Sequence, residues 1–558
     1  MKRSTAAALF AILLAAVLVR LLPILQYTYW GSDFGEYYAL TRTLAQTGAL
    51  PSHYAGWGFT YPYFPGMFAL NAAFVVLGAP VDAVVVLLVP ILVGFAVLPV
   101  FLITVRVVGD DFAGLVAASF LGVAFLHAFS TSHAIPASLG DLLLLGALLQ
   151  FLGLRRSPKF FGLLVLTGLA IVVTHHFATY FLLLAVVSAL LLRAILDRTL
   201  TLRAVRYELA FLAILVAATL AFWALYAVPF WNSIVTSLPT SSLLLVAGVG
   251  AVALVPVVIR LRRRWQWRFR PRLHSVRTAG LAAGIAFGTS CAIVAIASAA
   301  PIPGTTIRLD LPLLAPFLPL FAFFSFSAAG RKVLDVSRDG PGVTAWFLAI
   351  VASIFAGALA APQVLIPYRH LEYLALPVAV MVGTGVRWLS LGLAEPRRGV
   401  AIAAATVLLV ASTSLSTYPP PATLAGFQEG IDARTVEAAL WVRTHADGLV
   451  AGDHRESTVL FGIGGVNATW DFELRFWHTT DRTAALEAMR DVQVFGRTER
   501  VDWVLIDRDL RAGLQATPYD PALPLLPAEE AKFMASPFQK VYDSGFAQVY
   551  YVNWGLAP

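Results

Sequence analysis

The chain has 558 residues, of which 59% are hydrophobic and 13% charged, with a mean hydropathy of +0.77 and a net charge of +8. A soluble globular domain carries about 25% charged residues, so the bilayer must be the solvent for most of this chain. The single cysteine, Cys291, excludes an intramolecular disulfide and zinc sites built on cysteine pairs.

A spanning helix needs about 20 apolar residues. Runs near that length predict about thirteen spans, at residues 5–26, 82–107, 112–130, 137–154, 160–174, 177–196, 208–229, 241–260, 279–299, 311–328, 343–361, 371–392 and 398–416. The first run is longer than the roughly 7–15 residues of a signal-peptide core, so it is read as a retained anchor. With Lys2 and Arg3 in the cytoplasm, alternate loops place Arg106, Arg155, Arg156, Lys159, Arg193, Arg203, Arg206 and the arginine-rich 260–277 segment inside. The outer loops keep only Arg42, Arg308 and Arg369, which is the positive-inside asymmetry. The apolar stretch 64–79 would invert this pattern if it spanned, so it is read as an interfacial or re-entrant helix in a first outer loop over residues 27–81.

Residues 1–416 hold 28 Lys and Arg against 13 Asp and Glu, a balance of +15, and residues 417–558 hold 12 against 19, a balance of −7. The basic excess follows membrane topology and implies no nucleic-acid partner. Pro419-Pro420-Pro421 separates the membrane part, 1–416, from an acidic extracytoplasmic domain, 417–558, on the same side as the first loop. In that domain, helices are predicted at 435–444, 482–490 and 529–534, strands at 448–452 and 503–506, and a hairpin pairs 539–542 with 547–552. This makes a small α/β domain. Asp453-His454 and Trp470-Asp471 fall at strand ends or in loops, where a structural role competes with a functional one. Asn467-Ala468-Thr469 fits the glycosylation acceptor pattern.

The stretch Gly31-Ser32-Asp33-Phe34-Gly35-Glu36-Tyr37-Tyr38 places two carboxylates where the first span leaves the bilayer, a depth at which anchoring favours Trp, Tyr, Lys and Arg. Further outer-face polar residues are His53, Trp57, Tyr61, His133, Asp141, His175, His176, Arg308, Asp310, Tyr368, Arg369, His370 and Glu372, while His274 is the one histidine predicted inside. A carboxylate can take a proton from an acceptor, and arginines suit a phosphate leaving group. Asp33 and Glu36 are the candidate catalytic residues. His133, Asp141, His175, His176, Arg308, Tyr368, Arg369 and His370 are the candidate substrate-binding residues. Each has a structural rival: Asp33 or Glu36 could cap a loop helix, Asp141 could cap its span, Arg308 could pair with Asp310, and Arg369 with Glu372. Adjacent His175 and His176 point different ways on a helix, so at most one is expected to face a site. No HExxH or paired DxD motif supports a metal site, so no metal ligands are assigned and no cofactor is named, although the His and Asp content leaves room for Mg²⁺ or Mn²⁺.

The acidic motif after the first span, Tyr61-Pro62-Tyr63-Phe64-Pro65, Thr131-Ser132-His133-Ala134-Ile135-Pro136, Thr174-His175-His176 and the ending Lys540-Val541-Tyr542-Asp543-Ser544-Gly545 together resemble the GT-C fold glycosyltransferases, including the protein mannosyltransferase, aminoarabinose transferase and oligosaccharyltransferase relatives. The resemblance implies a polytopic helical membrane enzyme in the cell membrane. It would take a sugar from a polyprenyl- or dolichyl-phosphate donor to a lipid-linked glycan, glycolipid or protein acceptor, with inversion. It implies Asp33 as general base and Arg369, Arg308 and His176 as donor-phosphate ligands. The sequence departs from the oligosaccharyltransferases in lacking a second-loop DxD and a Trp-Trp-Asp motif, which favours metal-independent transfer of a single sugar. Two other readings stay open. One is a metal-dependent oligosaccharyltransferase-like enzyme. The other is a non-enzymatic transporter or lipid flippase, against which the span centres carry almost no charge.

Overall fold

Long apolar runs, broken by glycine, proline and clustered arginine, fold as helices because a helix satisfies its own backbone in lipid. The computed structural model describes residues 2–52, 54–197, 199–237, 242–261, 275–299, 311–337, 339–360, 364–392, 398–424, 427–470, 476–513 and 523–557. Arg308, Asp310, His53, His274 and Asp471 lie outside the described residues.

The chain opens with α1 (Arg3–Leu21), β1 (Tyr29–Trp30), α2 (Phe34–Thr47) and α3 (Gly66–Val76). There follow α4 (Val81–Gly94), α5 (Val97–Val108), α6 (Asp111–Val123), α7 (Phe125–Ala128), α8 (Pro136–Leu154), α9 (Phe160–Thr174), α10 (His176–Leu196), α11 (Arg206–Leu225), α12 (Val228–Ser237) and α13 (Ser242–Leu261). The membrane part closes with α14 (Val276–Ala299), α15 (Leu311–Leu314), α16 (Leu318–Leu334), α17 (Gly340–Ala360), α18 (His370–Ser390) and α19 (Arg398–Ser414).

Helices stand at all the expected runs, but among the described residues nine are long and apolar enough to cross a membrane, ten if the pair α6–α7, bent by 58°, is one span. One of the expected spans, α9, falls short in length. At 15 residues α9 is about 22 Å long, short of a hydrocarbon core of about 30 Å. With 11 residues α3 reaches about 16 Å, too short to span. The central helix is α18, 78% of whose apolar window is buried, against 11% for the peripheral α14. It packs closely on α16, where a Cβ on Gly330 would fall 1.7 Å from the Met381 carbonyl oxygen.

After α19 come β2 (Gly430–Ile431), α20 (Ala433–His445), β3 (Leu449–Ala451), α21 (His454–Val459), β4 (Asn467–Ala468), α22 (Arg482–Arg490), β5 (Val492–Val494), β6 (Arg497–Glu499), β7 (Val501–Asp507), β8 (Phe538–Asp543) and β9 (Ala547–Val552). The five-stranded sheet runs β4-β3-β7-β9-β8, with β4, β3 and β7 parallel and β9 antiparallel to both β7 and β8. One face of the sheet, through Val450, Leu505 and Val549, joins the same apolar core as the membrane helices by way of Ala438, Val442, Val459 and Leu460. The other face packs Trp470, Trp477, Met489, Val504 and Tyr550. Asn467 of the acceptor triplet is half-buried on β4, and its amide donates to Glu499 at 2.6 Å.

The tail is stitched to the first loop. β1 pairs with β2, Tyr29 opposite Ile431 and Trp30 opposite Gly430. The Ser32 amide donates to Glu429 at 2.7 Å, the Thr458 hydroxyl to the Ser32 carbonyl at 2.7 Å, and the Tyr418 hydroxyl to the Val19 carbonyl at 2.8 Å. The start of α2 meets α21 backbone to backbone. A Cβ on Gly35 would lie 1.7 Å from the Thr458 carbonyl oxygen, and one on Gly462 would lie 1.8 Å from that of Gly35. Gly462→Val should therefore open this joint, lowering the unfolding midpoint by the equivalent of about 1–3 kcal/mol. Faster proteolytic release of the tail from the detergent-solubilised protein checks it.

Candidate active site

Asp33 occupies the position just before α2 but caps nothing: its carboxylate accepts no bond from the helix start. It is held instead by Tyr37, on the helix it precedes, and by side chains from two other segments. His454 Nε2 lies 2.7 Å from Oδ1, the Tyr61 hydroxyl donates to Oδ2 at 2.9 Å, and the Tyr37 hydroxyl lies 3.2 Å from both Oδ2 and the Tyr61 oxygen. Burial by itself would raise the Asp33 carboxyl. The His454 and tyrosine hydrogen bonds outweigh it and hold the group below its ordinary value. An ionised carboxylate only accepts, so His454 Nε2 carries a proton and donates it.

His454 is delivered by the tail. β3 ends at Ala451, and Asp453 then caps α21 in a reciprocal box with Glu456: Asp453 Oδ1 accepts from the Glu456 amide at 2.8 Å. This fixes His454 at the first position of α21. The next residue, Arg455, is buried and bonds Asp507 at 2.7 Å; Asp507 also accepts from Thr435 at 2.8 Å and from the Leu510 amide at 2.7 Å. Glu456 accepts from the Asp507 amide at 3.0 Å. Residues 455 and 456 thus anchor α21 to β7, and His454 projects to the first loop.

Glu36, one turn after Asp33, turns its carboxylate to the loop. Both oxygens accept from the Gly58 amide, at 3.1 and 3.0 Å, and the Tyr54 hydroxyl donates at 3.2 Å. Burial, then the like charge of Asp33, pushes Glu36 up to about 8. The loop it holds carries Trp57, whose ring stands 4.9 Å from the His454 ring, and Tyr61. Glu36 therefore sets the loop that dresses Asp33.

The remaining candidates divide. His133 is buried beside Gly31, its ring 5.5 Å from that of Trp30, and burial lowers its imidazole. His176 lies between Phe64, at 5.4 Å, and Phe230, at 4.6 Å, just past the Tyr61–Tyr63 turn. Arg369 is partly exposed, 5.9 Å over the Phe177 ring, and its charge acts on Tyr61, His175 and His176. The Arg369 charge thus reaches Tyr61, which in turn bonds Asp33. Tyr368 is 45% exposed.

Three candidates serve packing. His175 caps α10, accepting from the Ala178 amide at 3.4 Å, with the Tyr373 hydroxyl 3.3 Å from the same nitrogen. Of the His pair, then, His175 turns into the bundle. His370 is buried, its ring nitrogens engaged by Ser353 at 2.8 Å and the Ile366 carbonyl at 3.1 Å. Asp141 lies in the second turn of α8, past the capping position, fully buried and 3.6 Å from His127 Nε2. His127 in turn meets Arg20 at 2.8 Å, and Glu372 and Tyr373 stand beside Asp141. The Arg369 charge also reaches Glu372 and Tyr373 of that cluster.

Sequence reasoning left His454 open and passed over Arg20 and His127. The Asp453-x-x-Glu456 spacing after an apolar strand is a helix-start signature that would have placed His454 on a first turn. Among the described residues no three His, Cys, Asp or Glu side chains converge to hold a metal ion. Asp33 meets two hydroxyls and an imidazole, and Glu36 is engaged by the Gly58 amide and the Tyr54 hydroxyl.

No family model and no curated protein matches the sequence. Solved structures do. The archaeal oligosaccharyltransferase AglB from Archaeoglobus fulgidus, in complex with an inhibitory peptide and a dolichol-phosphate, is similar with a TM-score of 0.58 and 14% identity, over 91% of this chain and 69% of that one. The Archaeoglobus fulgidus oligosaccharyltransferase in the apo form gives 0.57 and 14% over 90% and 70%. ArnT from Cupriavidus metallidurans bound to undecaprenyl phosphate gives 0.39 and 15%, over 100% of each chain. The chain has the GT-C glycosyltransferase fold that its motifs imply, a polytopic helical membrane part with a small C-terminal sheet domain.

Glu36 yields a pH prediction. Its carboxyl lies near 8 in the fold against an ordinary value of 4.5, so across that interval the folded chain holds a proton that the unfolded chain has released. Stability from neutral Glu36 is complete below the ordinary value, declines as pH rises, and is lost above about 8. The unfolding midpoint of the native chain should fall relative to that of Glu36→Gln between these limits; parallel curves would contradict the assignment.

Proposed function

We propose that this membrane protein is a glycosyltransferase that moves one sugar from a polyprenyl- or dolichyl-phosphate donor to the hydroxyl of a lipid-linked glycan, glycolipid or protein acceptor, with Asp33 as general base. The observation that carries the reading is an ionised carboxylate held by Tyr37 of the helix it precedes and by Tyr61 and His454 from two other segments, with the charge of a partly exposed arginine, Arg369, reaching Tyr61. The GT-C fold and the dolichol-phosphate in the archaeal structure support the donor class.

The step balances as a direct displacement. Asp33 takes the acceptor O–H proton, the acceptor oxygen attacks the anomeric carbon, and the bond from that carbon to the phosphate oxygen breaks. Attack opposite the leaving group inverts the anomeric centre. The phosphate leaves with its charge facing Arg369, a guanidinium suited to phosphate by its planar fork. His176 borders the same space. Tyr61, Tyr37 and His454 orient the Asp33 carboxylate so that a free lone pair meets the acceptor. His133 flanks the loop start behind Gly31, and Tyr368 lies at the rim. Arg308 retains its assignment to the phosphate as an expectation from sequence. The positive-inside pattern puts the N-terminus in the cytoplasm and the site and tail outside it. A metal-dependent oligosaccharyltransferase-like reaction fits these donors poorly, and a transporter leaves the oriented carboxylate without a task.

Mass spectrometry of surface and lipid-linked glycans from deletion cells tests the reading. The intact gene should restore a single-sugar truncation. Asp33→Asn, present at normal level, should lose about 10²–10⁴-fold in transfer rate, and full rescue by it would overturn the assignment. Arg369→Ala should raise the KM for the donor more than it lowers kcat. His454→Ala frees the Asp33 carboxyl to rise, so the acid limb of the pH–rate profile should move to higher pH; an unmoved limb would remove His454 from the site.

A further inference from the structure

At the membrane face opposite Asp33, a cavity of about 360 Å³ opens between the end of α8 and the starts of α9 and α11. It is lined by Arg155, Arg156, Ser157, Arg203, Arg206 and Tyr207, and no carboxylate lines it. The positive-inside rule accounts for arginines in these loops but not for Arg156, Arg203 and Arg206 converging on one cavity beside the paired Arg155. The neighbouring cavity, about 240 Å³, shows how the chain treats arginines it intends to neutralise. There Arg155 bonds Asp339, Arg193 bonds Glu208 at 3.1 Å, and Asp197 adds a third acid to the site. The start of α9 adds to the positive field, since it begins here without a side-chain cap and with no acid in its first turn. Below the cavity, toward the bilayer, α9 presents exposed Leu163 and Leu166, 53% and 65% accessible.

The geometry points to a binding site for an anionic phosphate group on this face, carried by a lipid whose acyl chain lies along α9. Arg203 and Arg206 meet the phosphate oxygens, Arg206 being steadied by the Tyr207 hydroxyl at 3.3 Å, Arg156 closes the other wall, and Ser157 offers a neutral donor. The exposed leucines argue for a lipid over a free anion. This site stands apart from the proposed transfer reaction, so its test reads binding and is indifferent to catalysis.

The full-length protein in phosphatidylcholine nanodiscs is titrated with dioctanoyl-phosphatidylglycerol, with dioctanoyl-phosphatidylcholine and inorganic phosphate as parallel probes, and occupancy is read by native mass spectrometry. The expected result is saturable binding of the glycerol lipid alone. Arg203→Gln/Arg206→Gln should weaken it about tenfold or more. Arg331→Gln/Lys332→Gln, which removes two cations from the end of α16, should leave it unchanged. Equal losses from both double variants would overturn the site in favour of diffuse charge attraction. Inorganic phosphate binding as tightly as the lipid would overturn the lipid assignment.

Discussion

The candidate site depends on one contact, between a carboxylate at position 33 and an imidazole at position 454, 2.7 Å apart in space and 421 residues apart in sequence. Neither partner could be held this way alone. The Asp33 side chain is only 21% exposed, and a carboxylate taken that far out of water without donors loses its charge. His454 reaches it because the tail is locked at both ends of α21: by glycines that let α2 and α21 touch through their backbones, and by the Arg455–Asp507 pair on β7. A buried ion pair of this kind adds little net stability, since desolvation consumes most of its Coulomb energy. Its use here is directional: it fixes the rotation of a six-residue helix that has too few turns to fix itself.

A second polar layer lies in the bundle, and a broken helix explains it. Ala124 is extended, and α6 stops there before α7 resumes. Breaking a helix in the membrane strands carbonyls that lipid cannot satisfy. Arg20 of α1 reaches the Gly122 carbonyl at 3.3 Å and that of Ala16 at 2.9 Å, and the Thr417 hydroxyl takes the Val123 carbonyl at 2.6 Å. Arg20 also bonds Thr131 at 2.9 Å and His127 at 2.8 Å, and Asp141 follows behind the histidine. A charge at this depth is costly unless paired. The break then lets the chain turn toward His133 and Trp30 at the site.

The sequence made some of this legible and hid the rest for physical reasons. Span positions follow from apolar length, which needs no partner, so helices stand where runs do; the number that cross is less legible because a run such as α9 is marginal in length. In the tail, helix 482–490 and the closing hairpin were readable from local patterning. β4, with two residues, and the β5–β6 hairpin around Phe495-Gly496 were not, because so few residues carry no period. Asp33 was legible as an acid in a place where acids are expensive. His454 was not, because its significance lies in a partner contributed by the other end of the chain. Asp141 was visible as a polar residue, but its neighbours Arg20 and His127 come from two other helices. Adjacent His175 and His176 could be read as facing different ways, and which one turned inward depended on Tyr373.

The stitching of β1 to β2 also orders events in time. The ribosome releases the first loop long before the tail, and at about 5–20 residues per second the 421 residues between Asp33 and His454 occupy on the order of tens of seconds. Until then β1 has no strand to pair with, and Gly35 has no helix to receive. The carboxylate waits in an unfinished pocket, wetter and less directed than the final one. The tail, made after the membrane helices, is therefore the piece that brings His454 to Asp33.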